Sequence, residues 1–445
     1  MSTIDKAQVL ANALKVSTPL PMWNSVVAWS EVWDLIKAKT GNAARRQGRQ
    51  TEVSTQFGNP ESIGSRFEDG NMPIADTPLF ERQLIVWKKT VAVLEATFDA
   101  IDEAVDGPTA YANFNQLNIL PLARSFAADL DRQAVGYGAG PLCRIAAAWT
   151  PGNNPIIIDR AFGLGSANSN GWIAGIRRGQ RLVAGPSVDG SGLRNGGQAF
   201  RVLSLDPRGN SGSGTITVDG ALPSELATGD YLWRGDQYGN NAPENGVEKE
   251  MMGIRGFLDD GTLVPVIQNI DRSVIAEFKG NLINATTDYS GTASPLFFMR
   301  LHDEARIYGQ GKIDTILCSP AAFRNAYGSA TGATYGPGYG AMVTPGGPTQ
   351  VGTKGIVTNA FGAGPVNVRS VIQWIPGHVA ALDSSTFVRF GMEMPEWDSH
   401  GDFWKPVTVG GVRKDAFYNI YRFRGQIACL DPRKNVMAYN VTEGA

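Results

Sequence analysis

The sequence predicts an α+β chain in which a β-rich subdomain interrupts helical and mixed segments. Three observations carry that reading. A helical stripe runs through residues 111–135, short branched and aromatic runs fill 140–250, and helix and strand patterns alternate again after Glu250. The chain has 445 residues. A single domain takes about 100–200, so two or three structural units are expected.

The first 40 residues read as a helical arm. Val9, Leu10, Ala13 and Leu14 sit at helical spacing, and Pro19 and Pro21 interrupt them. A second segment, 22–39, carries Trp23, Val26, Val27, Trp29, Val32, Trp33, Leu35 and Ile36. Three tryptophans so close together need an apolar partner, either the chain's own core or a neighbouring subunit. Trp23, Trp29 and Trp33 are therefore candidates for inter-subunit contact, ahead of the rarer ligand box. Residues 41–80 are polar and rich in Gly, Arg and turn residues. Such a stretch cannot build its own core, and an insert this long in a compact domain is usually functional. A long hairpin lying on a neighbouring subunit is one solution.

Residues 81–106 mix the two periods and read as a strand leading into a helix. In 111–135, Ile119, Leu122, Ala123, Phe126, Ala127, Leu130 and Ala134 share one face. Pro121 suits the first turn, and Gly136 and Gly138 punctuate the end. Between 140 and 250 the runs PIIIDR, QRLVA, AFRVLSLD, GTITVDGAL and DYLWRG suggest a small sandwich or barrel. Beyond it, GFLDDGTLV reads as a turn, 293–310 as an amphipathic helix and KIDTILCS as a buried strand. Ser319 can cap the following helix, with Pro320 at its first position. Residues 328–355 form another Gly-rich loop, and the chain from Thr386 onwards reads as strands and turns.

Composition excludes several classes. Net charge is −2 and pI is near 6.0, which argues against a dedicated nucleic-acid binder. Charged residues are 18%, below the roughly 25% of soluble domains, which hints at surface buried in an assembly. Cys143, Cys318 and Cys429 are far apart and read as buried free thiols. The opening residues lack a signal-peptide pattern, and no apolar run reaches the ~20 residues of a membrane span. The three histidines, His302, His378 and His400, show no metal-ligand spacing, and His302 reads as a surface or interface residue. QGKID at 310–314 lacks the upstream glycine and the Ser or Thr of a phosphate loop, and no GxSxG elbow occurs. Asp99, Asp102, Glu103 and Asp106 read as an acidic helix face. Asp129 and Asp131 with Arg124 and Arg132 read in the same way, as a solvated or salt-bridged face. Neither a catalytic residue nor a cofactor or metal site is assigned.

The order of these segments resembles the tailed-bacteriophage major capsid protein of the Hong Kong 97-type fold. The resemblance is carried by NILPLARSFAADLDRQAVGYG as spine helix, by GDYLWRGDQYGNN with MMGIRGFLDDGTLVPVIQNI as β insertion and re-entry, by KIDTILCSPAAFRNAY as axial strand and helix, and by IYRFRGQIACLDPRKNVMAYNV as closing strands. It covers nearly the whole chain as order and texture, without a diagnostic motif. It implies an N-terminal arm (1–40), an extended loop (41–82), a peripheral domain with the spine helix (83–139), a β-rich insertion (140–250), an axial domain (251–385) and closing strands shared by peripheral and axial domains (386–445).

The resemblance further implies a non-enzymatic subunit that assembles with itself as hexamers and pentamers into an icosahedral head in the virion, built in the host cytoplasm. The head would enclose double-stranded DNA without reading its sequence. A portal and either a separate scaffolding protein or none are the expected partners, the sequence leaves open whether a decoration protein binds the β insertion, and little N-terminal processing and no membrane are expected. Some relatives weld their shells through a lysine of the extended loop. This sequence has no lysine between Lys39 and Lys88. Arg45, Arg46, Arg49, Arg66 and Arg82 are there instead, and they are expected to make bidentate ion pairs across subunit contacts in a non-covalent shell. A nanocompartment shell of the encapsulin class is the first alternative, and an α/β enzyme the second.

Overall fold

The structure, a computed structural model, describes residues 30–38, 45–47, 50–58, 62–68, 70–97, 99, 118–164, 175–210, 213–220, 222–236, 239–244, 246–288, 291–326, 356–358, 366–392, 396–398, 404–409 and 412–443. The Gly-rich stretch 328–355, Trp23, Trp29 and Arg49 lie outside them.

In chain order, β1 (Lys37–Ala38), β2 (Arg45–Gln47), β3 (Gln50–Gly58), β4 (Leu79–Val86) and β5 (Lys88–Thr97) precede helix α1 (Leu120–Val135). Next come β6 (Cys143–Ile145), β7 (Ile156–Ala161), β8 (Arg181–Gly185), β9 (Phe200–Asn210), β10 (Ser213–Asp219), β11 (Tyr231–Asp236) and β12 (Gly239–Asn240). Helix α2 (Ile254–Phe257), β13 (Val266–Ile267), β14 (Ile270–Asp271), β15 (Asn281–Asn284), α3 (Pro295–Gly309) and β16 (Thr315–Cys318) follow, with α4 over residues 320–326. The chain closes through β17 (Ile356–Thr358), β18 (Val366–Ser370), β19 (Val379–Leu382), β20 (Phe387–Gly391), β21 (Glu396–Trp397), β22 (Lys405–Val409), β23 (Val412–Cys429) and β24 (Val436–Tyr439).

Local chemistry accounts for the helices. The Ser294 hydroxyl accepts the Phe297 N–H at 3.2 Å and starts α3, with Pro295 in its first turn. Phe297, Leu301 and Ala305 then fall on its buried side at i, i+4, i+8. Gln310 ends the helix in the left-handed region, at φ 54. Ser319 caps α4 by accepting the Ala322 N–H at 3.1 Å. All four residues of β16 are buried, as a strand paired on both edges requires. It runs parallel to β18 and antiparallel to β19.

Five sheets organise the described residues, the smallest being the two-stranded β13-β14 hairpin. In the first, β23 is the common partner of β5, β20, β21 and β22, and β1 lies parallel to β20. The second is a six-stranded mixed sheet, β15-β24-β19-β16-β18-β17. The third, β11-β6-β7-β10-β9-β8, closes when β8 pairs back onto β11, which makes a barrel with β12 attached. Ile145, Trp149, Ile156, Ile158, Leu182, Val202, Ile216 and Leu232 fill it. Closure removes the edges that an open sheet exposes. The fourth is the hairpin β2-β3-β4. The closing segment thus feeds two sheets, β23 one and β24 the other. Helix α1 lies on the β23 sheet, where Phe126 meets Tyr421 edge-on at 5.5 Å.

Two sequence expectations need correction, and a third, open between a solvated and a salt-bridged face, is resolved. Residues 30–36 form bends and turns leading to β1, so the helix expected over 22–39 does not include them. The N–H groups of Glu31, Val32 and Trp33 are captured by the Asp131 carboxylate at 2.7–3.2 Å, which supplies the acceptor that a helix carbonyl would otherwise provide. His302 is buried at 1% exposure on the packed side of α3, not at the surface. Asp129, Asp131 and Arg132 of α1 are also buried, so their face is salt-bridged but not solvated.

Candidate assembly surface

The hairpin of β3 and β4 pairs from Gln50 opposite Val86 to Gly58 opposite Leu79. Near its root, alternation buries Thr51, Val53 and Thr55 on one strand and Gln83 and Ile85 on the other. Val53 and Ile85 pack on Val388, Phe390 and Ala428 of the β23 sheet. Past the strands the chain turns outward. Ile63, Phe67, Met72 and Ile74 are 94%, 90%, 86% and 91% exposed, and Leu79 and Phe80 are more than half exposed. Burying such a side chain is worth about 1.5–3 kcal/mol, and nothing among the described residues of the chain takes that gain. Large apolar side chains this exposed and this close in sequence mark a candidate interaction surface.

The root is held by amides. Thr55 Oγ1 donates to Gln83 Oε1 at 3.4 Å. Gln83 Nε2 donates to Gln268 Oε1 and to the Cys429 carbonyl, and Gln268 Nε2 donates to the Ile427 carbonyl at 2.7 Å. The Leu84 N–H also reaches the Gln268 carbonyl, at 2.9 Å. Gln268 and Asn269 both have positive φ, 47 and 72, in the two-residue turn joining β13 to β14. That is the backbone of a tight hairpin turn. Sequence reasoning missed Gln83 and Gln268. The turn was readable in VIQNID, where Gln268 and Asn269 separate Val266 and Ile267 from Ile270, but its docking against the long hairpin was not.

The arginines of the segment are scattered. Arg66 is exposed, and its guanidinium folds back to the carbonyls of Ser65 and Asn71, both at 3.0 Å. Arg82 is exposed on β4 opposite Ser54. Arg45 and Arg46 lie on β2 opposite Glu52 and Thr51. Trp33 is used within its own chain: it is 1% exposed, edge-on to Phe423 at 5.5 Å and covered by the Arg389 guanidinium at 4.9 Å. It leaves no face for a neighbour, which corrects its candidacy as an inter-subunit contact.

Behind the hairpin, α1 meets the barrel and the returning chain through buried charge. Arg132 lies between Asp129 at 3.1 Å and Glu250 at 2.5 Å, and Arg234 of β11 reaches Asp129 at 2.9 Å. Gln133 Nε2 donates to Asp129, and Asn241 Nδ2 to Glu250. Burial pushes the Asp129 carboxyl up, but Arg234 and Arg132 outweigh it and hold the group below its ordinary value. Lys88 donates to the Glu248 carbonyl, and burial pushes its ammonium down. The glycines of GYGAG make room for this cluster. A Cβ on Gly138 would meet the Glu248 carboxylate, and one on Gly140 would stand 2.7 Å from that of Glu250, both at positive φ. Nearby, burial pushes Asp131 up to about 6 against the pull of its three N–H donors.

The reactive side chains are muted. All three cysteines are free and buried, and burial pushes the Cys429 thiol up to about 12. Burial pushes His378 down to about 3. Among the described residues no group of three His, Cys, Asp or Glu is placed to hold a metal ion, and no helix is long and apolar enough to cross a membrane.

No protein-family model and no curated protein matches the chain. Solved structures do. The cyanophage A-1(L) capsid asymmetric unit is similar at 7% identity and TM-score 0.44, over 92% of this chain and 91% of that one. The capsid of a native GTA particle is similar at 9% identity and TM-score 0.41, over 93% and 91%. A holo encapsulin complex from Synechococcus elongatus is similar at 15% identity and TM-score 0.25, over 37% and 54%.

Proposed function

We propose that this chain is a structural major capsid protein, which assembles as hexamers and pentamers into the icosahedral head of a tailed phage and encloses its double-stranded DNA. In this reading the fold is of the Hong Kong 97 type. The hairpin β2-β3-β4 is the extended loop, α1 the spine helix and the β23 sheet the peripheral domain. The sheet around β16 is the axial domain, and the barrel is an insertion on the outer surface. The observation that carries the reading is the hairpin: a root fixed by buried amides and an apolar end between 86% and 94% exposed. That profile fits a segment completed by another copy of the same chain, as closed symmetric assembly requires. A scaffolding protein, a portal and a decoration protein belong to the same proposal, as does a location in the virion.

The test is size-exclusion chromatography with negative-stain electron microscopy of the full chain, made with and without its scaffolding protein. Closed shells or capsomer rings are expected. The variant Ile63→Ser/Phe67→Ser/Met72→Ser/Ile74→Ser should keep the far-UV spectrum and melting of the parent subunit yet lose assembly. Parent protein that stays a monomer under both conditions overturns the proposal. Shells that carry an enzyme cargo instead of a portal and DNA replace it with the nanocompartment reading.

A further inference from the structure

Among the described residues the chain passes between the unit of α1 and the β23 sheet and the β16 sheet at 280–281, 383–386 and 430–435. Register puts all of these crossings at one end of the β16 sheet. Asn281 is level with Val436, Val436 with Ala381, and Leu382 with Thr315. Two of the crossings are laced together by the buried Asn435. Its Oδ1 accepts the Asp383 N–H at 2.8 Å, and its Nδ2 donates to Thr386 Oγ1 at 3.0 Å. Joints gathered at one end make a hinge, because they leave rotation about that end free. The apolar core runs across the seam, from Phe126 and Tyr421 to Leu317 and Trp374. Apolar packing is non-directional and does not by itself select one angle.

Residues 31–36 run along this seam and hold both sides of it. On one side the Asp131 carboxylate of α1 accepts the N–H groups of Glu31, Val32 and Trp33, and Trp33 packs on Phe423 and Arg389. On the other side the Glu31 carboxylate accepts the Ile372 N–H at 2.7 Å, and Asp34 stands 3.5 Å from the Arg369 guanidinium. Arg369 and Ile372 lie at and beyond the far end of β18. Ser370 there is level with Val379, about 10 Å along the strand from the Asn367–Leu382 level at the hinge. At the near end Leu35 and Ile36 line a crevice with Thr315, Leu382 and Ser384, and Lys37 enters β1 opposite Val388. A tie fastened far from a hinge resists rotation with the longer arm. We propose that residues 31–36 are a strap that locks the angle between the two units, with Glu31 and Asp34 as its hold on β18 and Asp131 as its hold on α1. Undoing the hold on either side frees the units to swing about the hinge while each stays folded. The inference rests on contacts within one chain and stands apart from the shell reading.

The experiment is double electron–electron resonance on the full chain, with nitroxide labels at Val93→Cys of β5 and Ile307→Cys of α3. Dilution with unlabelled chain makes distances within one copy dominate. Both positions are exposed, at 54% and 78%, and the native cysteines are buried. Helix α3 reports on the β16 sheet, against which Phe297 and Leu301 pack. The parent is expected to give one narrow distance. Glu31→Ala/Asp34→Ala should widen it or add a second population, and so should Asp131→Ala. Glu31→Gln keeps an acceptor oxygen for the Ile372 N–H and should match the parent. A control pair inside one unit, Val93→Cys with the exposed Lys414→Cys, should stay unchanged in all of them. Glu31 is half-buried and Asp34 exposed, so the Glu31/Asp34 variant is expected to fold even where Asp131→Ala does not. A broad distance in the parent overturns the proposal. So does a parent-like distance in folded Glu31→Ala/Asp34→Ala, which would leave the segment a contribution to stability only. A control pair that moves with the test pair also overturns it, because the whole chain would then have loosened.

Discussion

Gln83 Nε2 stands 2.6 Å from Gln268 Oε1, although 185 positions separate the two residues in the chain. The pair links a strand of the long hairpin to a tight turn of the body, and the same two amides reach the Ile427 and Cys429 carbonyls of β23. The angle of the hairpin is therefore fixed by hydrogen bonds of defined geometry as well as by apolar packing.

Replacing Gln268 by Ala removes two side-chain bonds and leaves the Gln83 amide, 0% exposed, short of an acceptor. Such a loss costs about 1–3 kcal/mol. Denaturant melts should show it, and amide exchange should accelerate along β3 and β4 ahead of the β16 sheet. Uniform protection across both would show that the amide pair does not set the hairpin.

Asp131 predicts a pH dependence. Its folded-state value, about 6, lies above the ordinary 3.8, so the folded chain binds the proton more tightly than the unfolded one. Its contribution to stability therefore rises as pH falls from 7 through 6 and levels off below the unfolded value. The gain is at most about 3 kcal/mol. Glu31, also raised by burial, lies close enough to add to the trend. Stability measured from pH 7.5 to 4.5 should climb less steeply in Asp131→Asn than in the parent. Parallel curves would refute the assignment.

Arg132 holds two buried carboxylates. Arg132→Met should cost about 3–5 kcal/mol, because it leaves Asp129 and Glu250 without their shared cation. Adding Glu250→Gln should recover part of the loss, and a thermal melt of the three variants reads the coupling. Simple additivity would show that the network is not a unit.

Gly140→Ala tests the same region sterically. At φ +74 its methyl group would stand 2.7 Å from the Glu250 carboxylate. A loss of about 1–3 kcal/mol is expected. Gly152→Ala, at φ +86 with nothing within 4 Å of its Cβ, carries the backbone strain alone and should cost less.

What could be read from the sequence followed local physics. The stripe Phe297–Leu301–Ala305, the Ser319 cap and the mostly apolar TILC strand each declare themselves within a few residues. The apolar, branched runs of 140–250 declare strands, but their closure depends on β8 finding β11 about 50 residues later, and no local pattern carries that. The arm segment fails for the same reason. Val32, Trp33 and Ile36 are spaced as a helix would space them and are indeed buried, yet a carboxylate 98–100 positions away takes the backbone N–H groups. Alternating Asp and Arg on α1 reads as a solvated or a salt-bridged face, and only Glu250 and Arg234, arriving from elsewhere, decide between the two. For the hairpin, residue type marked the unusual stretch, while its gripping residues, Gln83 and Gln268, look ordinary in sequence.

Strands β4 and β5 run from Leu79 to Thr97 with only Trp87 between them, and ten residues of β5 are paired in register with β23. Mechanically this is a lever. A load applied at the hairpin's apolar end travels down β4 to the amide fulcrum at Gln83. From there it enters β5 as shear along a ladder whose bonds must break together and not one at a time. The ladder resists pulling along its length, while the fulcrum, held by a handful of hydrogen bonds, is the part that yields to bending. The hairpin is therefore stiffer in tension than in pitch.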